Sequence, residues 1–429
     1  MAHLTSRTAY ADLVSRLNRF PQGAPPSELL DKILKLLVTE REAALLSRIP
    51  IKPFGVETAA RVWDLPPEEA RKTLEALAAR AVLLDVERDG QTRYVLPPPM
   101  AGFFEFSMMR VRGDVDQAAL AALYYQYLNV EDEFIGALTG GTTQLGRAFV
   151  NEEALPSKDG LVVLDWERAT NVVREAKTIG IGVCYCRHKM EHVGRACDAP
   201  REICMTFGGV ARSLVSHGYA RAASAGETLD LLAEARERGL VQFGENVRND
   251  VAFLCNCCGC CCEALVAARR LGPNRMVHTT RWQPKLDLAT CNGCGKCVSA
   301  CPMAALSLVS ACDPKRRNRK LARLDADACL GCGVCVRACS VDSLSLEERG
   351  ERVLPPFNSV HKSVLMAIER GKLQDLLFDD RTLVSHRVLA AVFGAVLKLP
   401  PVKRALALEQ VRSRYLETLC KRVGPLSRP

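Results

Sequence analysis

The sequence predicts an α+β protein of several domains, and three observations support this fold class. The chain has 429 residues, of which 48% are hydrophobic, so it is long enough to bury more than one core. Apolar residues recur at helical spacing near both ends, whereas strand-like runs alternate with helical patterns in the middle. The chain also contains 20 cysteines, which are concentrated in its middle part. We therefore expect five segments: an N-terminal domain of helices and a hairpin over residues 1–100, a helical connector over 101–160, an α/β cysteine-rich metal-binding domain over 161–285, a small domain with a doubled cysteine motif over 286–350, and a helical C-terminal region over 351–429.

The most specific motif is a doubled run of cysteines in CNGCGKCVSACP and CLGCGVCVRACS. Both runs have the spacing C-x2-C-x2-C-x3-C, which is the ligand spacing of bacterial [4Fe–4S] ferredoxins. Residues 284–348 resemble the dicluster members of that family, in which the fourth cysteine of each run ligates the other cluster. The resemblance implies two [4Fe–4S] clusters, one held by Cys291, Cys294, Cys297 and Cys339, and the other by Cys329, Cys332, Cys335 and Cys301.

Two zinc sites are the alternative for these eight thiols. Zinc sites of four thiolates use paired C-x2-C knuckles, however, and have no reason to produce the doubled run. The second run has Ser340 where the family usually has proline, which removes no ligand.

The segment between the two runs predicts a hairpin with a basic tip. Its strands contain Leu306, Leu308, Leu321 and Leu324, and its tip lies at Asp313-Pro314. The tip carries five cations: Lys315, Arg316, Arg317, Arg319 and Lys320. It is either a solvated loop or a docking surface for an acidic redox partner.

Ten further cysteines precede the doubled motif in two groups. The first group is Cys184, Cys186, Cys197 and Cys204, and the second, in LCNCCGCCC, is Cys255, Cys257, Cys258, Cys260, Cys261 and Cys262. A chain of this size does not need disulfides for stability, so clustered thiols are typical of metal ligands or redox groups.

The pattern around these cysteines predicts an α/β domain. LVVLD, WERATNVVREAK and IGIGVC read as a βαβ unit, and MTFGGVARSLVSHGY as a helix. Ser224 and Glu227 then form a capping box for the helix ETLDLLAEARERG, and LVQFG and VAFLC follow as strands. The carboxyl ends of parallel strands meet at one edge of a sheet, so the two cysteine groups should form a shared metal site there.

The type of upstream metal centre stays open at this point. Ten thiols suffice for two [4Fe–4S] clusters, or for one cluster and a redox-active or open site. The adjacent Cys257 and Cys258 would serve two irons more easily than one. Over residues 180–345 the C-x-CR and CNCC-x-CC segments resemble a group of anaerobe ferredoxin-like proteins, and this resemblance implies no particular activity. His188 and His192 could be ligands, but we expect them to have a surface or supporting role.

The N-terminal region poses a separate question. Over residues 27–96 an amphipathic helix from Ser27, a helix-turn-helix pair and a hairpin turning at Asp89-Gly90 resemble the winged-helix fold of transcription regulators. The predicted core residues are Val56, Ala60, Trp63, Ala70, Leu74 and Leu77. Glu68 and Glu69 stand where a recognition helix would meet phosphates, so we expect protein contact or homodimerisation rather than DNA binding.

The remaining features bear on location. The N-terminus has no secretory signal, and the longest apolar run is shorter than the 20 or so residues that cross a bilayer, so we expect a cytoplasmic protein. The segment HRVLAAVFGAVLKLPPVKRAL, with Lys398, Lys403 and Arg404, could lie on a membrane surface, but a core or partner-facing helix is the preferred interpretation.

Together these features predict a multicluster iron–sulfur protein of an anaerobic pathway. It would transfer electrons between a redox partner and the upstream cysteine-rich centre, where one or two further iron–sulfur clusters are expected. One alternative is an iron–sulfur oxidoreductase that acts on a substrate at that centre. The other is a redox-sensing regulator that binds DNA through the winged helix.

Overall fold

The computed structural model describes residues 8–88, 90–155, 165–272, 277–350 and 354–398. These residues form two compact units, each made of more than one chain segment. The first unit combines the described residues up to Thr143 with Gly209–Arg221 and those from Ser359 onward. The second unit comprises Gln144–Gly208 and Ala222–Asn358. The chain is therefore a mixed α+β protein with more than one domain.

The helices and strands have the following bounds. The α-helices are α1 Ala9–Leu17, α2 Glu28–Leu37, α3 Glu40–Arg48, α4 Val56–Trp63, α5 Pro67–Ala79, α6 Phe104–Phe106, α7 Gln117–Tyr125, α8 Glu133–Thr139, α9 Ala169–Glu175, α10 Tyr185–His192, α11 Gly208–Ser216, α12 Ala225–Glu237, α13 Glu263–Leu271, α14 Lys296–Ala300, α15 Val334–Arg337, α16 Ser359–Glu369, α17 Leu373–Leu377 and α18 Val384–Lys398. The strands are β1 Leu84–Arg88, β2 Gln91–Val95, β3 Gly146–Ala148, β4 Ile179–Val183, β5 Glu202–Phe207, β6 Ala220–Ala222, β7 Val241–Glu245, β8 Phe253–Cys257, β9 Val277–His278, β10 Trp282–Leu286, β11 Leu306–Ser310, β12 Lys320–Leu324 and β13 Leu344–Glu348.

The N-terminal part of the first unit has two helices where the sequence predicted one. The apolar pattern after Ser27 does not continue through Thr39, so the prediction of a single helix is wrong. The Thr39 hydroxyl accepts a hydrogen bond from the Glu42 amide at 3.3 Å, and the Glu42 carboxylate accepts one from the Thr39 amide at 2.8 Å. This capping box starts α3 as a separate helix.

The helices α4 and α5 and the β1–β2 hairpin follow the expected pattern. The hairpin pairs Leu84 with Val95 and Arg88 with Gln91, while Asp89 of its turn lies outside the described residues. Phe54 forms an isolated antiparallel bridge with Tyr94 of β2. The predicted core residues are all buried: Val56, Ala60, Trp63, Ala70, Leu74 and Leu77.

This hairpin contacts the segment Gly209–Arg221, which contains most of α11 and belongs to the first unit although it lies in the middle of the chain. Arg212 forms an ion pair with Glu87 at 2.9 Å, and His217 Nε2 lies 3.0 Å from the Asp85 carboxylate. Two acidic side chains of the hairpin are therefore held by this segment of the same unit.

The C-terminal region is helical up to Lys398, and α18 packs by one face: Ala390 is buried, and Phe393 and Leu397 pack against the apolar cluster of α16 and α17. Val388, Val392 and Val396 on this helix are 55%, 58% and 42% exposed. Lys403, Arg404 and Cys420 lie outside the described residues.

The second unit is built on a seven-stranded sheet with the order β6-β4-β5-β8-β7-β3-β9. The pairs β4–β5, β5–β8, β7–β8 and β3–β7 are antiparallel, and β3–β9 is parallel. The prediction of a parallel sheet is therefore wrong. Only residues 246–252 separate β7 from β8, and a parallel crossover needs about a dozen residues or more.

The structure also differs from the predicted helix after Cys204, and most of the predicted strand before α9 cannot be compared. Met205, Thr206 and Phe207, which the sequence placed in a helix, belong to β5. The strand predicted for LVVLD falls outside the described residues except at Asp165, which begins a short 3₁₀ turn. Ser224 caps α12 as expected, accepting a hydrogen bond from the Glu227 amide at 3.2 Å.

Two small antiparallel pairs complete the second unit. β11 pairs with β12, from Leu306 opposite Leu324 to Ser310 opposite Lys320, which confirms the hairpin predicted between the two cysteine runs. β10 pairs with β13 and brackets the whole doubled motif. The motif is thereby enclosed by strands that are distant in sequence.

Candidate metal centres

Each run of the doubled motif is a loop that ends in a short helix. Gly295 and Gly333 precede α14 and α15 with φ values of 78° and 81°, a left-handed conformation that favours glycine. The third cysteine of each run, Cys297 or Cys335, then lies buried on the helix. The tight turn thus presents the thiols of one run toward a common centre.

The neighbours of Cys297 include the last cysteine of the second run. Burial raises the pKa of Cys297, and the charges of Cys339, Cys291 and Cys294 raise it further. These four are the ligands that the sequence assigned to one cluster.

The other four predicted ligands line a common cavity. Cys301, Cys329, Cys332 and Cys335 all lie on its wall, together with apolar side chains such as Leu306 and Leu324. Burial raises the pKa of Cys332 to about 12, with smaller contributions from the charges of Cys329 and Cys301. The fourth cysteine of the first run is therefore near the first three of the second.

Backbone amides point at the sulfurs of this second group. The Ala305 amide donates to Cys301 Sγ at 3.3 Å, and the Gly331 amide donates to Cys329 Sγ at 3.3 Å. Hydrogen bonds of this kind to cysteine sulfur raise the reduction potential of iron–sulfur clusters.

The ten upstream cysteines converge at one edge of the seven-stranded sheet. β4 and β8 run in the same direction because each is antiparallel to β5 between them. Cys184 directly follows β4, Cys255 and Cys257 lie at the end of β8, and Cys204 lies near the start of β5. The two cysteine groups therefore meet as expected, although an antiparallel arrangement brings them together.

Four of these thiols form a compact group that we call the thiol quartet: Cys197, Cys258, Cys260 and Cys261. Their sulfur atoms all lie within 4.8 Å of one another. The Sγ distances are 3.6 Å between Cys197 and Cys258, 3.6 Å between Cys260 and Cys261, and 3.8 Å between Cys197 and Cys261.

The other six thiols form a chain of hydrogen-bonded pairs that we call the thiol row: Cys184, Cys186, Cys262, Cys257, Cys255 and Cys204, in order of contact. Cys262 occupies the middle of the row, where it contacts Cys186 and Cys257. Adjacent residues thus belong to different groups, since Cys257 and Cys262 are in the row, whereas Cys258 and Cys261 are in the quartet.

Helix N-termini stabilise negative charge at two positions of the thiol row. Cys184 and Cys262 are the N-cap residues of α10 and α13. Hydrogen bonds from Cys186 and Cys257 lower the pKa of Cys262, and the backbone amides of Leu265 and Ala264 lower it further. Thiolates at such positions are typical of metal ligands and redox groups.

Hydrogen bonds from neighbouring thiols also lower the pKa of one cysteine in each group. Those from Cys204 and Cys257 lower the pKa of Cys255 to about 5. One from Cys261 lowers the pKa of Cys258 to about 4. Each group therefore contains a thiol that ionises readily.

A buried arginine interacts with both groups. Arg187 is 1% exposed, and its guanidinium donates to the carbonyl of Pro200 at 3.0 Å and to that of Asn256 at 2.8 Å. Burial lowers the pKa of Arg187, but the charges of Cys184 and Cys258 and a hydrogen bond to Cys197 outweigh it and raise that pKa. Its positive charge offsets the negative charge of the thiolates.

Two other charged or polar pairs lie beside the thiols. Lys189 on α10 forms a buried ion pair with Glu263, the first residue of α13. His188 is also buried, and its Nε2 lies 3.3 Å from that of His192. Of the two expected roles, surface or supporting, burial leaves the supporting one for His188, and neither histidine belongs to the compact group of ligands found among the described residues.

Comparison with protein families decides the nature of the doubled motif. Residues 290–343 match the family described as the 4Fe-4S dicluster domain. This segment is a 4Fe-4S dicluster domain. No curated protein and no solved structure matched the chain.

The dicluster domain lies directly against the thiol quartet. A Cβ atom on Gly259 would be 2.5 Å from the carbonyl oxygen and 2.9 Å from the Cα of Pro302. Only glycine allows this approach, in which the loop between Cys258 and Cys260 touches the residue after Cys301. The sequence showed Gly259 within LCNCCGCCC but could not reveal what it contacts.

Other supporting residues also lacked a clear sequence signal. Asn256 is 2% exposed on β8, and its side chain donates to the Ile203 carbonyl at 3.1 Å. The position of Asn256 between two cysteines of an apolar strand is the sequence signal that could have indicated a buried hydrogen bond. The ion pair of Lys189 and Glu263 has no comparable signal, because the two residues are distant in sequence.

Within the described part of the chain, no helix combines the length and apolar character needed to span a membrane.

Proposed function

We propose that this iron–sulfur protein transfers electrons between a redox partner and an upstream centre at the thiol row. The contact of Gly259 with Pro302 carries the proposal, because it joins the cysteine-rich region to the dicluster domain next to a predicted cluster ligand. When bound, [4Fe–4S] clusters supply one-electron redox chemistry, and the protein sets their potentials by burial and hydrogen bonds.

The crossed ligand assignment fits the surroundings of the eight cysteines. The first cluster would be held by Cys291, Cys294, Cys297 and Cys339, since the charges of the other three raise the pKa of Cys297. Cys301, Cys329, Cys332 and Cys335 would hold the second cluster, since all four line one apolar cavity.

The partner would approach the first of these ligand sets. Cys294 of this set is exposed, although Cys291 and Cys297 are buried, whereas none of the four ligands of the other set is exposed. Arg319 of the basic hairpin tip donates to the Leu288 carbonyl at 3.2 Å and ties the tip to the loop before Cys291. Lys315, Arg316 and Arg317 beside it are exposed, which favours an acidic partner.

The thiol row would hold the upstream redox centre, which we propose is an iron–sulfur cluster. Its six thiols exceed the four that a [4Fe–4S] cluster needs. They are arranged as an extended row, so that different thiols could bind different irons. The helix N-termini behind Cys184 and Cys262 and the charge of Arg187 would stabilise the thiolates.

The N-terminal segment would serve protein contact or dimerisation within a winged-helix arrangement rather than DNA binding. Arg212 of α11 pairs with Glu87 of the hairpin, and His217, just after this helix, pairs with Asp85. Glu68 and Glu69 lie in the first turn of α5, and the pairing of Glu69 with Arg41 occupies the end of the helix that would contact DNA. These contacts disfavour the regulator alternative.

Replacement of Gly259 by alanine tests the proposed electron path. The added methyl group would displace the cysteine loop from Pro302, so reduced dicluster domain should pass electrons to the upstream centre more slowly. Gly226→Ala is the matched control, because the nearest atom to its Cβ would be 3.9 Å away. Freeze-quench EPR after rapid reduction would follow both centres. Equal rates in the two variants and the parent protein would refute this path.

A further inference from the structure

We propose that the thiol quartet binds a single Zn²⁺ ion, separate from the iron–sulfur centre of the thiol row. The quartet consists of Cys197, Cys258, Cys260 and Cys261, whose sulfurs all lie within 4.8 Å of one another. A closed set of four thiolates is a common ligand set of structural zinc sites.

The sulfur spacing matches a tetrahedron around one ion. With Zn–S bonds of about 2.3 Å, tetrahedral ligands are separated by about 3.8 Å. Three sulfur pairs of the quartet are 3.6, 3.6 and 3.8 Å apart. A metal ion could therefore enter with small movements of the side chains, and the thiols would release their protons as it bound.

A cubane cluster does not fit this spacing. Each thiolate of a [4Fe–4S] cluster binds a different iron on the outside of the cluster, which holds the sulfurs farther apart. The dicluster domain provides a comparison within the same chain. Its eight cysteines are all described, yet the quartet is the one compact group of metal ligands found among the described residues.

The surroundings of the quartet favour a structural ion. Cys197 lies in the loop between α10 and β5, whereas the other three ligands lie between β8 and α13. Arg187 donates to carbonyls on both sides, at Pro200 and at Asn256, and its buried charge would offset a zinc tetrathiolate of net charge −2. All four ligands come from the protein, so the site has no open position for a substrate.

The ion would fix the loop that contacts the dicluster domain. Gly259 lies between two quartet ligands and touches Pro302, so zinc would hold this loop in place. Cys257 and Cys262 flank the quartet in sequence, so the same ion would also position the middle of the thiol row. This positioning role rests on the proposed electron transfer, whereas zinc binding itself does not.

Metal analysis of the full-length protein, purified without oxygen from medium containing iron and zinc, tests the assignment. The parent protein should contain one zinc per chain in addition to its iron, and zinc X-ray absorption should show four sulfur ligands. Cys197→Ser and Cys260→Ser should lose the zinc and keep the dicluster iron. Cys186→Ser should keep the zinc and lose upstream iron, and Cys312→Ser, at an exposed cysteine outside both groups, should keep both metals.

A conservative variant separates ligand loss from misfolding. Cys260 is the exposed member of the quartet, so Cys260→His should retain zinc with three sulfur ligands and one nitrogen ligand. Absence of zinc from the parent protein, a single iron at the quartet, or zinc that persists in Cys197→Ser and Cys260→Ser would each overturn the proposal. If zinc is present but electrons do not pass between the centres, only the proposed function fails.

Discussion

The guanidinium of Arg187 interacts with thiols of both upstream groups, among them Cys184 of the row and Cys197 of the quartet. Its two hydrogen bonds to carbonyls also require the forked shape of arginine, which lysine lacks. Arg187 therefore acts through charge and through geometry, and the two contributions can be separated by substitution.

We expect Arg187→Gln to lower the reduction potential of the upstream centre, because loss of a nearby positive charge makes an added electron less favourable. Arg187→Lys keeps the charge and should lower that potential less. A redox titration followed by EPR would measure both variants, with the dicluster signals as an internal reference. An unchanged potential in Arg187→Gln would contradict the charge argument.

The buried pair of Lys189 and Glu263 joins the helices that begin at Cys184 and Cys262. Glu263→Gln leaves the lysine charge buried without its carboxylate, which typically costs about 3–5 kcal/mol of unfolding free energy. The double variant with Lys189→Met and Glu263→Leu should lose less than either single variant. Anaerobic urea unfolding would measure the midpoints. Glu234→Gln, in an exposed pair with Arg238, is the control and should cost less than about 1 kcal/mol.

These residue-scale contacts mark the limit of what the sequence predicts at the site. The sequence predicts the ten upstream cysteines as metal ligands, because clustered thiols are typical of metal sites. Their division into a quartet and a row was not, since Cys257 and Cys258 are adjacent yet belong to different groups. That division depends on side-chain directions that only the folded loops determine.

At the scale of elements, the sheet explains why the two cysteine groups meet as predicted although the predicted sheet topology was wrong. Apolar runs identify β4, β7 and β8 but say nothing about their relative directions. β4 and β8 run in the same direction in both the predicted and the observed sheet. In the predicted sheet all strands are parallel, and in the observed one β4 and β8 are each antiparallel to β5 between them. The separate helix α3 could have been predicted, since Thr39 and Glu42 have the spacing of a capping box.

The hairpin formed by β11 and β12 permits an element-scale prediction. We expect Lys315→Glu with Arg316→Glu to slow reduction by a small acidic flavodoxin, with the largest effect at low salt, because the exposed tip would repel the partner. The matched control changes two exposed cations of the same unit, Arg174→Glu with Lys177→Glu. Stopped-flow rates over a range of ionic strength would compare them. If both double variants slowed the reaction equally, the effect would come from the net charge of the protein, and the hairpin tip would not be the docking surface.

At the scale of the whole molecule, the doubled motif was predictable because all its ligands lie within a short stretch and their spacing is specific. The two units were not predictable, because each combines segments that are far apart in sequence. The helix α11, for example, follows a strand of the second unit and yet packs in the first. No local pattern reveals which unit such a helix joins.

The same division leads to the last prediction, which concerns metal removal. Every cysteine with a proposed metal-binding role lies in the second unit, whereas the first has apolar cores such as Phe104 against Tyr124, with ring centroids 5.1 Å apart. We therefore expect chelation under anaerobic conditions to expose the amides of the cysteine loops to hydrogen exchange, because their thiols lose the ions that join them. Peptides from α4 and α5 should keep their protection, since no proposed ligand lies in their unit. Mass spectrometry of deuterium uptake with and without chelator would measure both regions in one sample. Equal loss of protection in α4 and α5 would contradict the independence of the first unit from the metals.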